Sequence, residues 1–231
     1  MSKKLKWSLI GAFALIEATL LPLILTLSGL VVKILSFASI VLAFGFSLLF
    51  ISFKNKAFFV QIGLFFTVMA DIFLVVIEPR MQSLAMSFFS LVQMAYFAKL
   101  LFENKNKKVR LANIISRVAL VVIVEIVTIL VVGAKTDYLA LISMFYYTNL
   151  ILNIVFAFFN FKQNPYFAIG MVLFALCDTI IGLQVAIGNY IFVSESSFIY
   201  KFVFSSFNWA WLFYLPSQTL ISISCTKSTI N

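Results

Sequence analysis

Gly63-Leu-Phe-Phe-Thr-Val-Met-Ala-Asp71-Ile-Phe-Leu74 reads as bilayer-spanning helix in every position but one, the aspartate. Gly170-Met-Val-Leu-Phe-Ala-Leu-Cys-Asp178-Thr-Ile-Ile-Gly182 repeats it, with aspartates 107 residues apart and a glycine eight positions before each. Eight residues are slightly more than two helical turns, so glycine and aspartate share a face in each copy, and Thr67 lies between them in the first. A carboxylate near the bilayer centre costs at least ~3 kcal/mol against lipid, which turns such residues toward protein and toward a partner. Asp71 and Asp178 are therefore the leading candidates for a functional site.

The surrounding chain sets the class. Of its 231 residues, 63% are hydrophobic and 11% charged, with 28 phenylalanines, and the mean hydropathy is +1.11. These values exclude a soluble domain and define a polytopic membrane protein. The apolar runs last about twenty residues without alternation, which excludes an outer-membrane barrel. Eight such runs span roughly 30 Å of hydrocarbon each: 7–28, 34–53, 57–77, 82–102, 112–132, 138–160, 166–187 and 198–222. Short connections predict one compact all-α transmembrane domain over 1–231. The lysine-rich start, Met1-Ser-Lys-Lys-Leu-Lys-Trp7, has no small-residue cleavage site after it and reads as a retained first helix.

The net charge of +9 follows topology and calls for no nucleic acid. With eight crossings and an inner N-terminus, the inside holds Lys3, Lys4, Lys6, Lys54, Lys56, Lys99, Lys105, Lys107, Lys108, Arg110, Arg117, Lys162 and Lys227. The outside holds Lys33, Arg80, Lys135 and Lys201. This segregation predicts both termini in the cytoplasm, in a bacterial cytoplasmic membrane. The absence of histidine excludes a Ser-His triad or a histidine-based metal site, and no cofactor is expected. Cys177 and Cys225 form no disulfide framework, and Cys177 is read as a small hydrophobe facing away from its neighbour Asp178.

Four of the acids lie within spans: Glu17, Asp71, Glu125 and Asp178, on the first, third, fifth and seventh helices. Glu17 and Glu125 are 108 residues apart, nearly the aspartate offset, which predicts a parallel four-plus-four duplication with halves 1–104 and 111–225. On that symmetry the two glutamates support the aspartates as an outer layer of the pocket. Asn149 and Asn153, with Tyr146 one turn away, form a polar stripe that orients a headgroup or bonds between helices. Gln93 with Tyr96, and Tyr214 with Gln218, line the same pocket or glue helices together. Pro22, Pro165 and Pro216 start or kink helices, with Pro216 expected to distort the eighth.

Two carboxyls in one low-dielectric pocket do not both ionise easily, which supplies an acid and a base together. That pair suits acid-catalysed cleavage of an ether or acetal; it equally suits proton or sodium coupling in a transporter.

In order and spacing, Ala70-Asp71, Phe89-Ser-Leu-Val-Gln93-Met-Ala-Tyr96, Phe174-Ala-Leu-Cys-Asp178 and Tyr214-Leu-Pro-Ser-Gln218-Thr-Leu-Ile221 resemble the successive motifs of the YhhN, or lysoplasmalogenase, family. The resemblance implies an eight-helix membrane enzyme that hydrolyses the vinyl ether bond of a lysoplasmalogen. Its products are a fatty aldehyde and a glycerophospho-headgroup, its substrate is a lysophospholipid in the bilayer, and Asp71 and Asp178 are its catalytic acids. The family usually has Gly-Asp where this chain has Ala70-Asp71, and a histidine near the tyrosine of the fourth helix where this chain has Gln93. Glutamine hydrogen-bonds but cannot shuttle a proton at neutral pH, so a proton-coupled transporter and a catalytically silent lipid-binding protein stand as rival expectations.

Overall fold

A computed structural model of the chain describes residues 2–50, 56–77 and 81–226. The described residues form helices and no strand: α1 Lys3–Thr26, α2 Leu30–Leu48, α3 Ala57–Asp71, α4 Gln82–Glu103, α5 Lys107–Val132, α6 Tyr138–Phe159, α7 Pro165–Asn189, α8 Phe198–Val203 and α9 Trp209–Ser224. Side-chain caps mark many of the starts, because the first N–H groups of a helix need acceptors where no backbone carbonyl precedes them. Ser2, Asn106, Asp137, Asn164, Ser197 and Asn208 each accept such a bond. Pro165 occupies the first turn of α7, where its missing N–H costs nothing. At the end of α5, Gly133 takes φ +61°, a left-handed conformation that favours glycine.

Seven helices are long and apolar enough to cross a membrane: α1, α2, α3 with its extension to Ile77, α4, α5 with its extension to Lys135, α6 and α7. The run 198–222, read from sequence as one helix, is divided. Ser205 Oγ donates to the Phe207 carbonyl and accepts from Trp209 Nε1, and Asn208 caps a new helix through Trp211 N–H. These short polar side chains satisfy the backbone locally, which ends α8 and begins α9. The break falls at 204–208, while α9 continues through Pro216. At 16 residues, α9 is about 24 Å long.

Contacts at the two ends fix the path. Lys6 Nζ donates to the Thr226 carbonyl, Lys56 Nζ to the Glu103 carbonyl and Asn164 Nδ2 to the Ser224 carbonyl, gathering one end. At the other, Tyr190 bonds Asp137, Tyr138 bonds Ser87 and Gln184 bonds the Val203 carbonyl. The chain thus returns through α9 to the end where α1 begins. Lys54, Arg80 and Lys227 lie outside the described residues. Lys99 and Arg117, counted from sequence among the cytoplasmic charges, are buried within helices.

The main core lies between α3, α4, α6, α7 and α9. A smaller cluster, built on the stacked Phe13 and Phe46, seats α1 and α2 against α9. Helix α5 packs principally on α6 and turns Val118, Leu130 and Val131 outward, a surface suited to lipid. Glycines set two of the closest approaches. A Cβ on Gly63 of α3 would lie 2.2 Å from the Tyr96 ring of α4, and one on Gly170 of α7 would lie 2.8 Å from Ile221 of α9. The two repeated glycines are therefore packing sites for the helices that carry the aspartates.

Candidate functional site

Asp71 ends the α-helical part of α3, which continues as a π-helical turn over Ile72–Ile77. A π turn re-aims the side chains around it and is frequent at functional sites. Asp71 is 2% exposed and accepts a hydrogen bond of 2.6 Å from the Tyr214 hydroxyl on α9. On α7, Asp178 accepts the Tyr146 hydroxyl from α6. Each aspartate is thus held by a tyrosine from another helix. The two carboxyls are close enough for the charge of one to act on the other. Phe174, fully buried, packs against both tyrosines and forms a rigid backing, with ring centroids at 5.7 Å from Tyr214 and 6.5 Å from Tyr146.

Both carboxyls face one cavity of about 630 Å3, within the size range of small-molecule sites. Its polar wall comprises the two aspartates, Tyr146, Tyr214, Ser143, Thr128 and the Tyr147–Thr179 hydroxyl pair; most of the rest is apolar. Val127 and Val131 of α5 and Gly182 of α7 line the cavity and are also exposed on the bundle surface, so it opens sideways between α5 and α7. It also reaches Tyr190 and Ile191 at the end of the bundle away from Lys6 and Thr226. Asp71, Phe89, Tyr146, Cys177 and Tyr214 close its deep side. Cys177 shares the wall with Asp178, although adjacent helical positions were expected to diverge.

At the rim, Asp137 caps α6 through Ala140 N–H and accepts the Tyr190 hydroxyl at 2.7 Å. These bonds, Ala140 first, hold its carboxyl below the usual carboxylate range, while burial, then the hydrogen bond to Asp137 and its charge, push the Tyr190 phenol up to about 12. A lowered carboxyl stabilises the fold above its unfolded pKa and loses that contribution as pH falls through the folded value. Asp137→Ala is therefore expected to lower the thermal midpoint at pH 7. The gap from wild type should close as the pH drops through and below the carboxylate range, and a pH-independent gap would reject the charged contact.

Tyr146 and Tyr214 join the aspartates at the cavity; the other residues singled out from sequence stand elsewhere. Gln93, Tyr96, Asn149, Asn153 and Gln218 are buried below or beside it and do not line it. Glu17 is buried on α1 and Glu125 half-buried on α5, and neither lines the cavity. Asn149 and Asn153 do act together, but on Arg117, which receives both side-chain oxygens along with that of Asn113. The sequence signal for this was the i, i+4 pairing of Asn113 with Arg117, set well inside a helix that starts at Lys107.

Fold and site together define a multi-pass helical membrane protein whose paired carboxyls meet in a half-open apolar cavity. The chain belongs to the YhhN family, whose sequence model matches residues 28–225. Comparison with curated proteins and with solved structures gave no match.

Proposed function

We propose that the protein is a membrane-embedded lipid hydrolase that cleaves the vinyl ether bond of a lysoplasmalogen to a fatty aldehyde and a glycerophospho-headgroup. YhhN membership supports the substrate class, and one observation carries the reading: both carboxyls stand in a cavity open sideways to lipid. A lipid tail enters between α5 and α7, the reacting bond meets the aspartates, and the headgroup lies toward Tyr190 and Asp137. One carboxyl, protonated, gives its proton to the vinyl carbon; the resulting oxocarbenium ion is stabilised by the other, ionised carboxyl. Water adds to the cation and loses its proton to that carboxylate, and the hemiacetal collapses to aldehyde and alcohol. A cavity confined to one half of the bundle offers no path between two aqueous faces, which disfavours the transporter reading.

The topology proposed with this function has eight crossings, α8 and α9 together making the last, and both termini in the cytoplasm. Return of Thr226 to Lys6 supports it. Parallel duplication of four helices is supported by matched packing: Gly63 meets Tyr96 of α4 as Gly170 meets Ile221 of α9. Reporters fused after residues 108 and 162 should read cytoplasmic and those after 135 and 194 external; a reversal at 135 would overturn the arrangement.

The direct test is incubation of purified protein with lysoplasmalogen and assay of free aldehyde. A second variant tests the route. A Cβ at Gly182 meets nothing within 4 Å, so Gly182→Phe should fold normally while obstructing the mouth. Its kcat/KM for a long-chain substrate is expected to fall by ~10-fold or more, with short-chain substrates spared. Equal losses for both would place the entry elsewhere.

A further inference from the structure

Beside the aspartates and their tyrosines, one further polar pair joins α6 to α7 at the cavity wall. The Tyr147 hydroxyl lies 2.8 Å from Thr179 Oγ1, and both residues line the cavity and are half-buried. Each follows a residue of the carboxyl site by one position, Tyr147 after Tyr146 and Thr179 after Asp178. The rung from Tyr147 to Thr179 therefore stands next to the rung from Tyr146 to Asp178.

The direction of this bond follows from what Thr179 does next. Its Oγ1 lies 2.6 Å from the Ala175 carbonyl one turn back, and a carbonyl only accepts. A hydroxyl has one proton, so Thr179 spends its own on Ala175 and receives another from Tyr147. The bonds run from Tyr147 to Thr179 to Ala175 in one sense, the arrangement in which each strengthens the next. The proton of Tyr147 is thereby committed within the protein, while its oxygen keeps lone pairs. Among the described residues no group donates to that oxygen. Toward the cavity, Tyr147 accepts a hydrogen bond and has none to give.

On the proposed reaction, the substrate carries one group of matching polarity. The central glycerol carbon of a lysolipid bears a free hydroxyl, and its neighbour carries the ether oxygen. With the ether at Asp178, that hydroxyl falls at the adjoining rung. We propose that Tyr147, oriented by Thr179, is the subsite for this glycerol hydroxyl, accepting its hydrogen bond and so placing the ether against the carboxyls. The assignment rests on the hydrolase reading and adds to it the residue that reads the glycerol. Neither side chain exchanges a proton with the substrate; one recognises and positions it, and the other fixes the polarity of the first.

The test compares ligands that differ only at this carbon. Tyr147→Phe leaves the tyrosine bonds to both aspartates and the Thr179 bond to Ala175 in place, so it should fold as wild type does. Its kcat/KM for an alkenyl lysophospholipid is expected to fall about 10-fold, the scale of one neutral hydrogen bond. For the analogue with hydrogen in place of the hydroxyl, the variant and wild type should agree. Equal losses on both substrates, or a wild type indifferent to the hydroxyl, would overturn the proposal. The ketone analogue, which can only accept, tests the polarity. Wild type and Thr179→Ser should bind it as poorly as the deoxy compound, whereas Thr179→Val frees the Tyr147 proton and should bind it several-fold better. No gain in Thr179→Val, or wild-type binding of the ketone as tight as that of the hydroxyl compound, would overturn the assignment. Affinities are read with saturated alkyl ethers, which have no vinyl bond to cleave, through tryptophan fluorescence, Trp211 being part of the cavity wall. That arm needs no turnover. A wild type that prefers the hydroxyl ligand through Tyr147 yet releases no aldehyde would reject the hydrolase and keep the subsite, and aldehyde release with binding blind to the hydroxyl would do the reverse.

Discussion

Asparagine at position 71 or 178 is expected to lower aldehyde release by ~10² or more while the protein stays folded. Asparagine keeps the planar shape and an oxygen that can accept the tyrosine bond, so the packing around Tyr214 and Tyr146 survives. What it loses is the proton for the vinyl carbon in one case and the charge that steadies the oxocarbenium ion in the other. Turnover and thermal midpoint should be measured on the same preparations. Near-normal release by one variant would remove that aspartate from the mechanism, and near-normal release by both would end the two-carboxyl scheme. Tyr214→Phe and Tyr146→Phe should cost less, since they only release the carboxyls from their positions.

The largest effect on stability is expected at the glycines that precede the aspartates. Alanine raises helix propensity by up to about 1 kcal/mol over glycine, yet at Gly63 the new methyl would lie 2.2 Å from the Tyr96 ring. That ring is fully buried and packs edge-on against Phe167, so it has nowhere to retreat. Overpacking of this kind costs ~1–3 kcal/mol or more, and steric conflict therefore outweighs propensity. Gly170→Ala meets Ile221 at 2.8 Å and the Ser217 carbonyl at 3.1 Å, which should also destabilise, by less. Gly45→Ala, with nothing within 4 Å, is the control and should be neutral or slightly stabilising. Thermal unfolding in detergent ranks the three; a stable Gly63→Ala protein would mean that α3 and α4 separate readily.

The aspartate pair and its glycines were legible because a carboxylate in an apolar run is conspicuous and spacing fixes the shared face. Helix number was less so. Ser205 and Asn208 look harmless inside a hydrophobic run, and only the local bonds they form show that the last helix restarts at Trp209. Glu17 and Glu125 matched the aspartate offset, but an offset gives depth along a helix and says little about rotation around it. Arg117 was hidden by its place near a cluster of loop lysines, where a cation is ordinarily solvated. Its burial became readable only once α5 and α6 were set side by side, with Asn113, Asn149 and Asn153 all facing one point.

The sideways mouth between α5 and α7 and the polar rim at Asp137 and Tyr190 give the cavity two exits of different solvent character. On the proposed reaction the products sort themselves: the water-soluble fragment departs past the rim, whereas the aldehyde dissolves into the membrane beside the mouth. Dilution then acts on only one of the two. The aldehyde accumulates at a surface concentration set by the lipid area, so product inhibition should scale with lipid-to-protein ratio and hardly at all with aqueous volume.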